Sequence, residues 1–203
     1  RNRKKRRNKL ASLGHVEMID VAGGLPGYKK LVDQALDWKQ VWLAETGRTS
    51  AILKEDKTCR FLKSLEEGAV ALALMIDGKP AAIEIGFVQG RHYYSYIGSF
   101  DWDLRDYSPG KVQMEEALRW AIKNGIHAYD LLGNPSTYKT HWSNVDIGLA
   151  SHCKALTVKG KIYESVWKPV LRPLIKQTYY RLPVTFRKRI LLPLVGQGRA
   201  LEA

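Results

Sequence analysis

The chain has 203 residues, of which 45% are hydrophobic and 26% are charged, and a formal net charge of +13 at pH 7. This composition is typical of a folded globular protein with one sizeable domain, or one domain and a tail. No window approaches the roughly 18 consecutive apolar residues of a membrane span, and no apolar region follows the basic start as it would in a signal peptide. Neither a membrane span nor a signal peptide is therefore predicted.

The positive charge lies mostly at the two ends. Residues 1–9 carry seven Lys or Arg and no acidic residue, and residues 159–203 carry ten basic and two acidic residues. Residues 10–158 hold sixteen basic and eighteen acidic residues. Basic ends around a nearly neutral body indicate attraction to an anionic surface or partner, in addition to whatever the body does.

The first elements alternate between helix and strand. Residues 1–13 are predicted to form a basic helix end or a linker, with Gly14 as its C-cap. A short strand over His15–Val21 follows, then a helix from Tyr28 to Thr46, whose apolar side chains recur on one face. A second helix around Phe61, Leu62 and Leu65 precedes Gly68.

Three strands separated by tight turns are predicted next, as an antiparallel meander over residues 70–76, 81–88 and 91–98. Glu84 lies in the middle of the second strand, and alternation favours the solvent side for it over a partly apolar site. Tyr94 and Tyr96 share one face of the third strand, with Tyr93 on the other. That face is predicted either to line a substrate groove or to pack against the core.

The stretch from Ser108 to Trp142 has the clearest signals for the start and end of its secondary-structure elements. Ser108 is a good N-cap, and Pro109 suits the first position of a helix that should end at Asn124-Gly125. A largely apolar strand over residues 126–132 follows, and Gly133-Asn134-Pro135 breaks it. This strand should deliver the polar residues beyond that turn to its carboxyl end.

Two further strands are predicted after Trp142, over Ile147–His152 and Lys154–Lys159, and then a basic amphipathic helical tail. The predicted fold class is α/β, with a mixed, mainly antiparallel sheet of about six strands and helices on both faces. The predicted division is a helix end or linker at 1–14, a domain at 15–159 and the tail at 160–203.

Few other kinds of site are indicated. The five histidines have no metal-ligand spacing, so no metal is predicted. No nucleophile elbow or P-loop is present. A Ser-Pro-Gly helix start can hold a phosphate group, since unpaired helix N–H groups attract negative charge, and Lys111 adds a positive charge there.

The motifs of this stretch resemble those of GNAT-type acyltransferases of the CelD-like group, linked to cellulose and exopolysaccharide biosynthesis. The shared positions are Ser108-Pro109-Gly110, Gly125, Asp130 to Gly133, Tyr138-Lys139 and Trp142. The resemblance implies a GNAT-like fold and kinship with FemAB-type aminoacyltransferases. It also implies that the chain is the C-terminal half of a longer protein, and it leaves open whether catalysis needs the other half.

The resemblance further implies an acyl transfer from acetyl-CoA or another acyl-CoA to an amine or hydroxyl. Lys139 is expected to bind a donor phosphate or stabilise the oxyanion, and Tyr138 to protonate the leaving group. Asp130 is expected to be the base or to orient Lys139, although it can also simply cap a turn. The expected donor-binding residues are Ser108, Gly110 and Lys111, and the expected acceptor-binding residues are Tyr94, Tyr96 and Trp142.

The expected acceptor is a saccharide, a cell-envelope precursor or a similar small molecule. Two alternatives stay open: a FemAB-like enzyme that uses aminoacyl-tRNA, and a non-catalytic assembly module that contacts an anionic membrane through residues 161–195. The helix start lacks the usual GNAT pyrophosphate loop, so Ser108-Pro109-Gly110 departs from the family pattern at the expected donor site. Cys59 and Cys153 suggest no disulfide framework, so the cytoplasm is the expected compartment.

Overall fold

A computed structural model describes residues 2–50, 56–133, 137–150 and 152–191. The five strands are β1 Val16–Ala22, β2 Ala69–Ile76, β3 Lys79–Gln89, β4 His92–Phe100 and β5 Ala128–Asp130. The helices before and around them are α1 Asn2–Ala11, α2 Tyr28–Glu45, α3 Asp56–Ser64, α4 Pro109–Lys123 and α5 Thr137–Thr140. A 3-10 helix spans Trp102–Tyr107.

The carboxyl-terminal region is helical. Its α-helices are α6 Val158–Ile162, α7 Arg172–Arg181 and α8 Val184–Phe186, and its π-helical segments are Tyr163–Leu171 and Arg187–Leu191. Thr157 caps α6, because its hydroxyl oxygen accepts a hydrogen bond of 3.1 Å from the Gly160 N–H.

The strands form one sheet in the order β1-β2-β3-β4-β5. β2, β3 and β4 are antiparallel neighbours, as expected for strands joined by short turns. β1 pairs antiparallel to β2 after the connection through α2 and α3, and β5 pairs parallel to β4 after the crossover through α4. The predicted α/β class with a mixed, mainly antiparallel sheet is confirmed. The sheet has five strands among the described residues rather than about six.

The two strands predicted after Trp142 are absent from the described residues. Residues 145–150 and 152–156 have no regular secondary structure, and Val158 begins α6. Ile147 and Leu149 are 73% and 83% exposed. The apolar side chains of this alternating segment are therefore not buried against another element. Alternation of apolar and polar residues specifies a strand only where one face is covered.

Both faces of the sheet are packed against helices. On one face Ala71, Ala73 and Ile83 pack against side chains of α2 and of α3. On the other face Val70 and Leu72 pack with Ala117 of α4. A strand that is covered on both faces has no face open to solvent. Side chains in the middle of β2 and β3 are therefore buried whichever face they point to.

The described chain divides into two compact units, one that runs up to Leu43 and resumes from Ser50 to Trp142, and one formed by Ala44–Thr49 with the chain from Ser143 onward. The basic helix α1 belongs to the first unit. Leu10 is fully buried in a cluster with Leu74, and Arg7 Nη1 lies 3.1 Å from Glu116 Oε1 of α4. The domain boundaries at 14 and 159 stay predictions.

The second unit joins the end of α2 to the helices near the carboxyl terminus. The carbonyl of Gly47 accepts hydrogen bonds from the Tyr179 hydroxyl at 3.1 Å and from Arg187 Nη1 at 3.0 Å. Lys188 Nζ lies 2.6 Å from Glu45 Oε2. Within the described part of the chain, each helix is too short or too polar to cross a bilayer.

Candidate functional site

The sheet opens between β4 and β5. The parallel pairing covers only three residues of each strand, from His92↔Ala128 to Tyr94↔Asp130, whereas β4 continues to Phe100. No strand of the described chain pairs with β4 on this side beyond Tyr94. The backbone groups of β4 between Ser95 and Phe100 therefore border a gap that an extended ligand can enter.

A bulge in β4 lies next to this gap. Ile85 pairs with Ile97 and Gly86 pairs with Ser95, so Tyr96 is one extra residue on β4. The extra residue shifts the side-chain alternation. Tyr93 consequently lies on the α4 side of the sheet, while Ile97 packs into the cluster on the α2 side.

A buried carboxylate lies beneath the opening on the α4 side. Glu84 of β3 is only 3% exposed, and its Oε1 accepts a 2.9 Å hydrogen bond from the Tyr93 hydroxyl and a short one from the Tyr129 hydroxyl. Burial raises the pKa of the Glu84 carboxyl, and hydrogen bonds from Tyr129, Tyr93 and Ser95 partly oppose that shift. The carboxyl is thus poised to exchange a proton closer to neutral pH than an exposed glutamate is.

The prediction of a solvent-side Glu84 is wrong. Glu84 pairs with Leu72 on β2 and with Gly98 on β4, so its strand is internal to the sheet, and α4 covers the face to which its side chain points. Alternation gave the correct relative orientation of Glu84 and its neighbours, but it could not show that α4 lies over this face.

Gly86 makes room for the tyrosine that reaches Glu84. A Cβ at Gly86 would lie 2.3 Å from the Tyr93 hydroxyl oxygen, so only glycine lets this ring lie along the sheet. The Tyr93 ring is fully buried, with its centroid 4.8 Å from the Tyr129 ring and 5.5 Å from the Trp120 ring. The network is therefore held by packing as well as by hydrogen bonds.

Both hydroxyls of the network keep their protons. Burial raises the pKa of Tyr93 well above its ordinary value, and the negative charge of Glu84 raises it further. The same two causes raise the pKa of Tyr129. Each tyrosine is therefore a donor to Glu84 at neutral pH, and Glu84 is the member of the network that titrates first.

The turn after β5 holds two of the residues predicted to be catalytic. Asp130 Oδ1 accepts a 2.6 Å hydrogen bond from the Leu132 N–H, and Leu132 has a left-handed backbone with φ of 58°. Lys139 Nζ donates to the carbonyls of Leu131 at 2.6 Å, Leu132 at 3.2 Å and Gly133 at 2.7 Å. Both side chains therefore stabilise the backbone of the turn, and their catalytic roles stay predictions. Residues 134–136 of the predicted turn lie outside the described chain.

Tyr138, which was predicted to be catalytic, feels the charge of Glu84. Its side chain is 53% exposed, and its pKa is raised by partial burial and by the negative charge of Glu84. The hydroxyl therefore lies within electrostatic reach of the buried carboxyl while its ring is open to solvent. For Lys139 beside it, burial lowers the pKa of the ammonium group, and the charge of Asp130 opposes that shift.

The helix start differs from the predicted cap. Ser108 occupies the N-cap position of α4, but its backbone is left-handed, with φ of 56°, and its side chain makes no capping hydrogen bond. Gly110 allows a close approach, since a Cβ there would lie 3.3 Å from Cδ1 of Phe100. Lys111 in the first turn is exposed. The first turn of α4 thus begins against the end of β4, next to the open stretch of that strand.

The three predicted acceptor-binding aromatics lie in two places. Tyr94 stacks on His92 at 6.5 Å between ring centroids, and Tyr96, 42% exposed, packs edge-on against Phe87 at 5.6 Å. Tyr94 and Tyr96 lie along β4 beside its open edge. Trp142 lies under the guanidinium group of Arg3, at 4.5 Å from its ring centroid.

Metal ligands are not gathered in the described part of the chain, where no group of three or more His, Cys, Asp or Glu could hold an ion. Cys59 and Cys153 are both free thiols.

Comparison with known families identifies the class of protein. A family model described as the acetyltransferase (GNAT) domain matches residues 1–140. The fold and this match define an acyltransferase enzyme. The chain belongs to the GNAT acetyltransferase domain family.

Solved structures that align with the chain are distant in sequence. An aminoglycoside acetyltransferase from an uncultured soil metagenomic sample is 11% identical, covering 70% of this chain and 97% of its own, with a TM-score of 0.45. An acetyltransferase of Clostridium difficile 630, described as possible, is 12% identical over 70% and 99%, with a TM-score of 0.46. A ribosomal-protein-alanine N-acetyltransferase from Brucella melitensis biovar Abortus 2308 is 11% identical over 70% and 100%, with a TM-score of 0.44. No curated protein matches the chain.

Proposed function

We propose that this enzyme transfers an acyl group, acetyl in the simplest case, from acyl-CoA to an amine or hydroxyl of a saccharide or cell-envelope precursor. The observation that carries the proposal is the buried Glu84 carboxyl, with its two tyrosine donors, beside the point where β4 and β5 separate. A proton acceptor at an opening in a sheet suits a reaction that removes a proton from the incoming nucleophile.

The donor is proposed to lie along the open edge of β4. The amide groups of the extended CoA arm suit the β4 edge over Ser95–Phe100, which pairs with no other strand on this side, as an added strand would. The Gly98 carbonyl in this stretch accepts a 2.9 Å hydrogen bond from Lys39 Nζ, which the arm would have to displace or leave in place. The diphosphate suits the first turn of α4, where the positive end of the helix dipole favours negative charge and the exposed Lys111 adds a positive charge. Ser108 would contribute its hydroxyl, which makes no capping hydrogen bond, and Gly110 would contribute its backbone.

The proposed chemistry begins with attack of the acceptor nitrogen or oxygen on the acyl carbonyl carbon, after which the carbon–sulfur bond breaks. The acceptor proton passes to the Tyr129 oxygen while the Tyr129 proton passes to Glu84. The departing thiolate takes a proton from Tyr138, which is protonated at neutral pH. Solvent at the exposed side of Tyr138 restores that proton after transfer, and Glu84 gives up the proton that it received through Tyr129. Asp130 and Lys139 act by holding the turn between β5 and Tyr138.

The acceptor is proposed to lie against Tyr94 and Tyr96. Aromatic rings on an exposed strand face offer flat apolar surfaces with hydroxyl groups at their edges, which suits a sugar ring. Trp142 is proposed to complete the acceptor site from the other side of the opening. The CelD-like grouping and the cytoplasmic location are part of this proposal, and they are supported by the motif residues and by the free thiols of Cys59 and Cys153.

Titration calorimetry with acetyl-CoA and longer acyl-CoAs tests the donor, and release of free CoA thiol in the presence of amino sugars and neutral sugars tests the acceptor. We expect a measurable heat with at least one acyl-CoA and thiol release that depends on the sugar. Absence of heat with every acyl-CoA contradicts the proposal, and transfer that requires aminoacyl-tRNA assigns the enzyme to the FemAB-like alternative.

A further inference from the structure

The helices of the second unit expose an apolar surface that none of the acyl-transfer chemistry uses. From Val158 to Arg181 the chain is one continuous helical run, because the junction residues Ile162, Leu171 and Arg172 all keep right-handed helical backbones. Within it the Arg172 N–H donates to the Trp167 carbonyl, five residues back, so the middle of the run is π-helical. Pro169 lies inside this segment, where it supplies no N–H of its own.

Large apolar side chains recur along this run at four-residue steps. Ile162, Val166, Val170 and Leu174 are 58%, 43%, 55% and 56% exposed. Residues four apart lie on one side of a helix. A second row beside the first is also exposed and contains Tyr163, Leu171 and Ile175. We call these seven residues the apolar stripe.

The charge around the apolar stripe is almost all positive. Residues 158–191 contain nine Lys or Arg and one acidic residue, Glu164. Glu164 Oε2 already accepts a 3.1 Å hydrogen bond from the Ala155 N–H. Lys161, Arg172 and Lys176 are exposed and lie within the same helical run as the stripe.

The far end of the region is held in place by other contacts. Arg187 is buried against the Gly47 carbonyl, and its guanidinium group lies 5.6 Å and 5.4 Å from the ring centroids of Tyr179 and Tyr180. Lys188 pairs with Glu45. Contacts of residues 179–188 therefore hold this end of the second unit in place, and the residues of the apolar stripe take no part in those contacts.

We propose that the apolar stripe docks the enzyme on an anionic lipid bilayer, with the helical run lying in the plane of the interface. A helix with an exposed aliphatic and tyrosine face and basic flanks binds anionic bilayers by combining apolar burial with charge attraction. Self-association through the stripe is opposed by the like charge of a second copy. A nucleic acid would pair with the basic residues but would leave the aliphatic side chains exposed.

The surface goes beyond acyl transfer, since it holds no residue of the proposed site. It would bring the enzyme to acceptors that carry a lipid, or to others concentrated at the membrane, and leave catalysis on a soluble acceptor unchanged. Docking and acyl transfer can therefore fail independently of each other.

Sedimentation of the full chain with vesicles of phosphatidylcholine containing one-quarter phosphatidylglycerol, compared with pure phosphatidylcholine, tests the proposal. One variant combines Val166→Gln, Val170→Gln and Leu174→Gln, and a second combines Lys161→Glu, Arg172→Glu and Lys176→Glu. The matched control combines Lys29→Glu, Lys30→Glu and Lys79→Glu, which changes the net charge equally at exposed positions of the first unit.

We expect the wild type to bind the anionic vesicles and the charge variant to bind at least roughly 100-fold more weakly, since each basic residue near such a surface contributes about fivefold to the affinity and three are reversed. The glutamine variant should also lose binding, while the control binds within about threefold of the wild type. Circular dichroism checks that each variant keeps its helices.

The proposal is overturned by no binding of the folded wild type, by equal loss in the control, or by full binding of the glutamine variant. Tighter binding of RNA than of vesicles through the same three basic residues also overturns it. Acyl transfer to a soluble sugar measured on the same variants separates the two proposals, because docking can be lost while transfer is retained.

Discussion

The carboxylate network inside the sheet and the turn after β5 use polar side chains in opposite ways. Glu84 is buried and accepts hydrogen bonds from two side-chain hydroxyls that can exchange protons with it. Asp130 at the end of β5 and Lys139 in α5 bond the backbone N–H and carbonyl groups of the turn that follows β5. A group bonded to local backbone fixes the shape of a site, whereas a buried carboxyl beside hydroxyls can carry a proton.

Replacing Glu84 with Gln should have the largest effect. The amide keeps the volume of the carboxyl but cannot accept the proton, so kcat should fall by about 100-fold to 10,000-fold, the usual contribution of a general base. Steady-state kinetics with unchanged acyl-CoA affinity checks this. In the wild type kcat should rise with pH through the raised pKa of Glu84, because the base must be ionised. Retention of wild-type kcat in the variant removes Glu84 from the reaction.

The same substitution tests the pH dependence of stability. Because burial raises the pKa of Glu84, the folded state favours the protonated carboxyl. The stabilising contribution of Glu84 is then fully present below the ordinary glutamate pKa and is lost as pH rises through the raised pKa. The difference in unfolding free energy between wild type and Glu84→Gln, measured by urea denaturation at a series of pH values, should shrink over that window. A constant difference contradicts the raised pKa.

Gly86→Ala should break the network without touching a titratable group. Its Cβ would lie 2.3 Å from the Tyr93 hydroxyl oxygen, so the ring must move away from Glu84. Overpacking of this kind destabilises a protein by about 1–3 kcal/mol, and transfer should fall with it. Urea denaturation and kinetics measure the two effects.

Gly98→Ala is the matched control for stability, because Gly98 is also a glycine within a paired strand, opposite Glu84, and its Cβ would meet no atom within 4 Å. Equal destabilisation by the two alanines would show that strand glycines in general, and not the approach of Tyr93, cause the effect.

Lys139→Met should have a moderate effect. It removes three hydrogen bonds to carbonyls of the turn and keeps the apolar stem. We expect a fall in kcat/KM of about tenfold, which corresponds to roughly 1.4 kcal/mol, with the pH profile unmoved. Lys123→Met on the exposed end of α4 is the control. A loss above about 1,000-fold, or a displaced pH profile, would instead give Lys139 the oxyanion role predicted from the sequence.

Asp130→Ala should have the smallest effect, since it removes one exposed hydrogen bond to the Leu132 N–H, typically worth about 0.5–1.5 kcal/mol. Transfer should fall less than tenfold. Asp130→Asn keeps an acceptor oxygen and should behave almost as the wild type does. If the asparagine variant is inactive while folded, Asp130 is the base. The turn after β5 would then take part in proton transfer, as Glu84 is proposed to do, and would not only fix the shape of the site.

Much of the fold could be predicted because its signals are local. The strands of the meander, the helix from Pro109 and the apolar stretch into β5 follow from periodicity and from turn residues. The prediction of two strands after Trp142 was wrong because it, too, used only local signals. Residues such as Ile147 alternate as a strand would, but among the described residues no other element covers them. Local patterns indicate what a segment can form, and packing decides whether it does.

By itself, the sequence determined the α/β class, the order of the main elements, the acyltransferase family and the segment that follows β5. Only the tertiary structure placed Glu84 in the interior, because α4 covers its face of the sheet and its hydroxyl donors, Tyr93 and Tyr129, lie 9 and 45 positions away in the chain. The bulge at Tyr96 and the separation of β4 from β5 depend likewise on pairing between strands. The chemistry of a side chain depends on its burial and on its hydrogen bonds to residues distant in the chain. The local sequence pattern around that side chain shows neither of these.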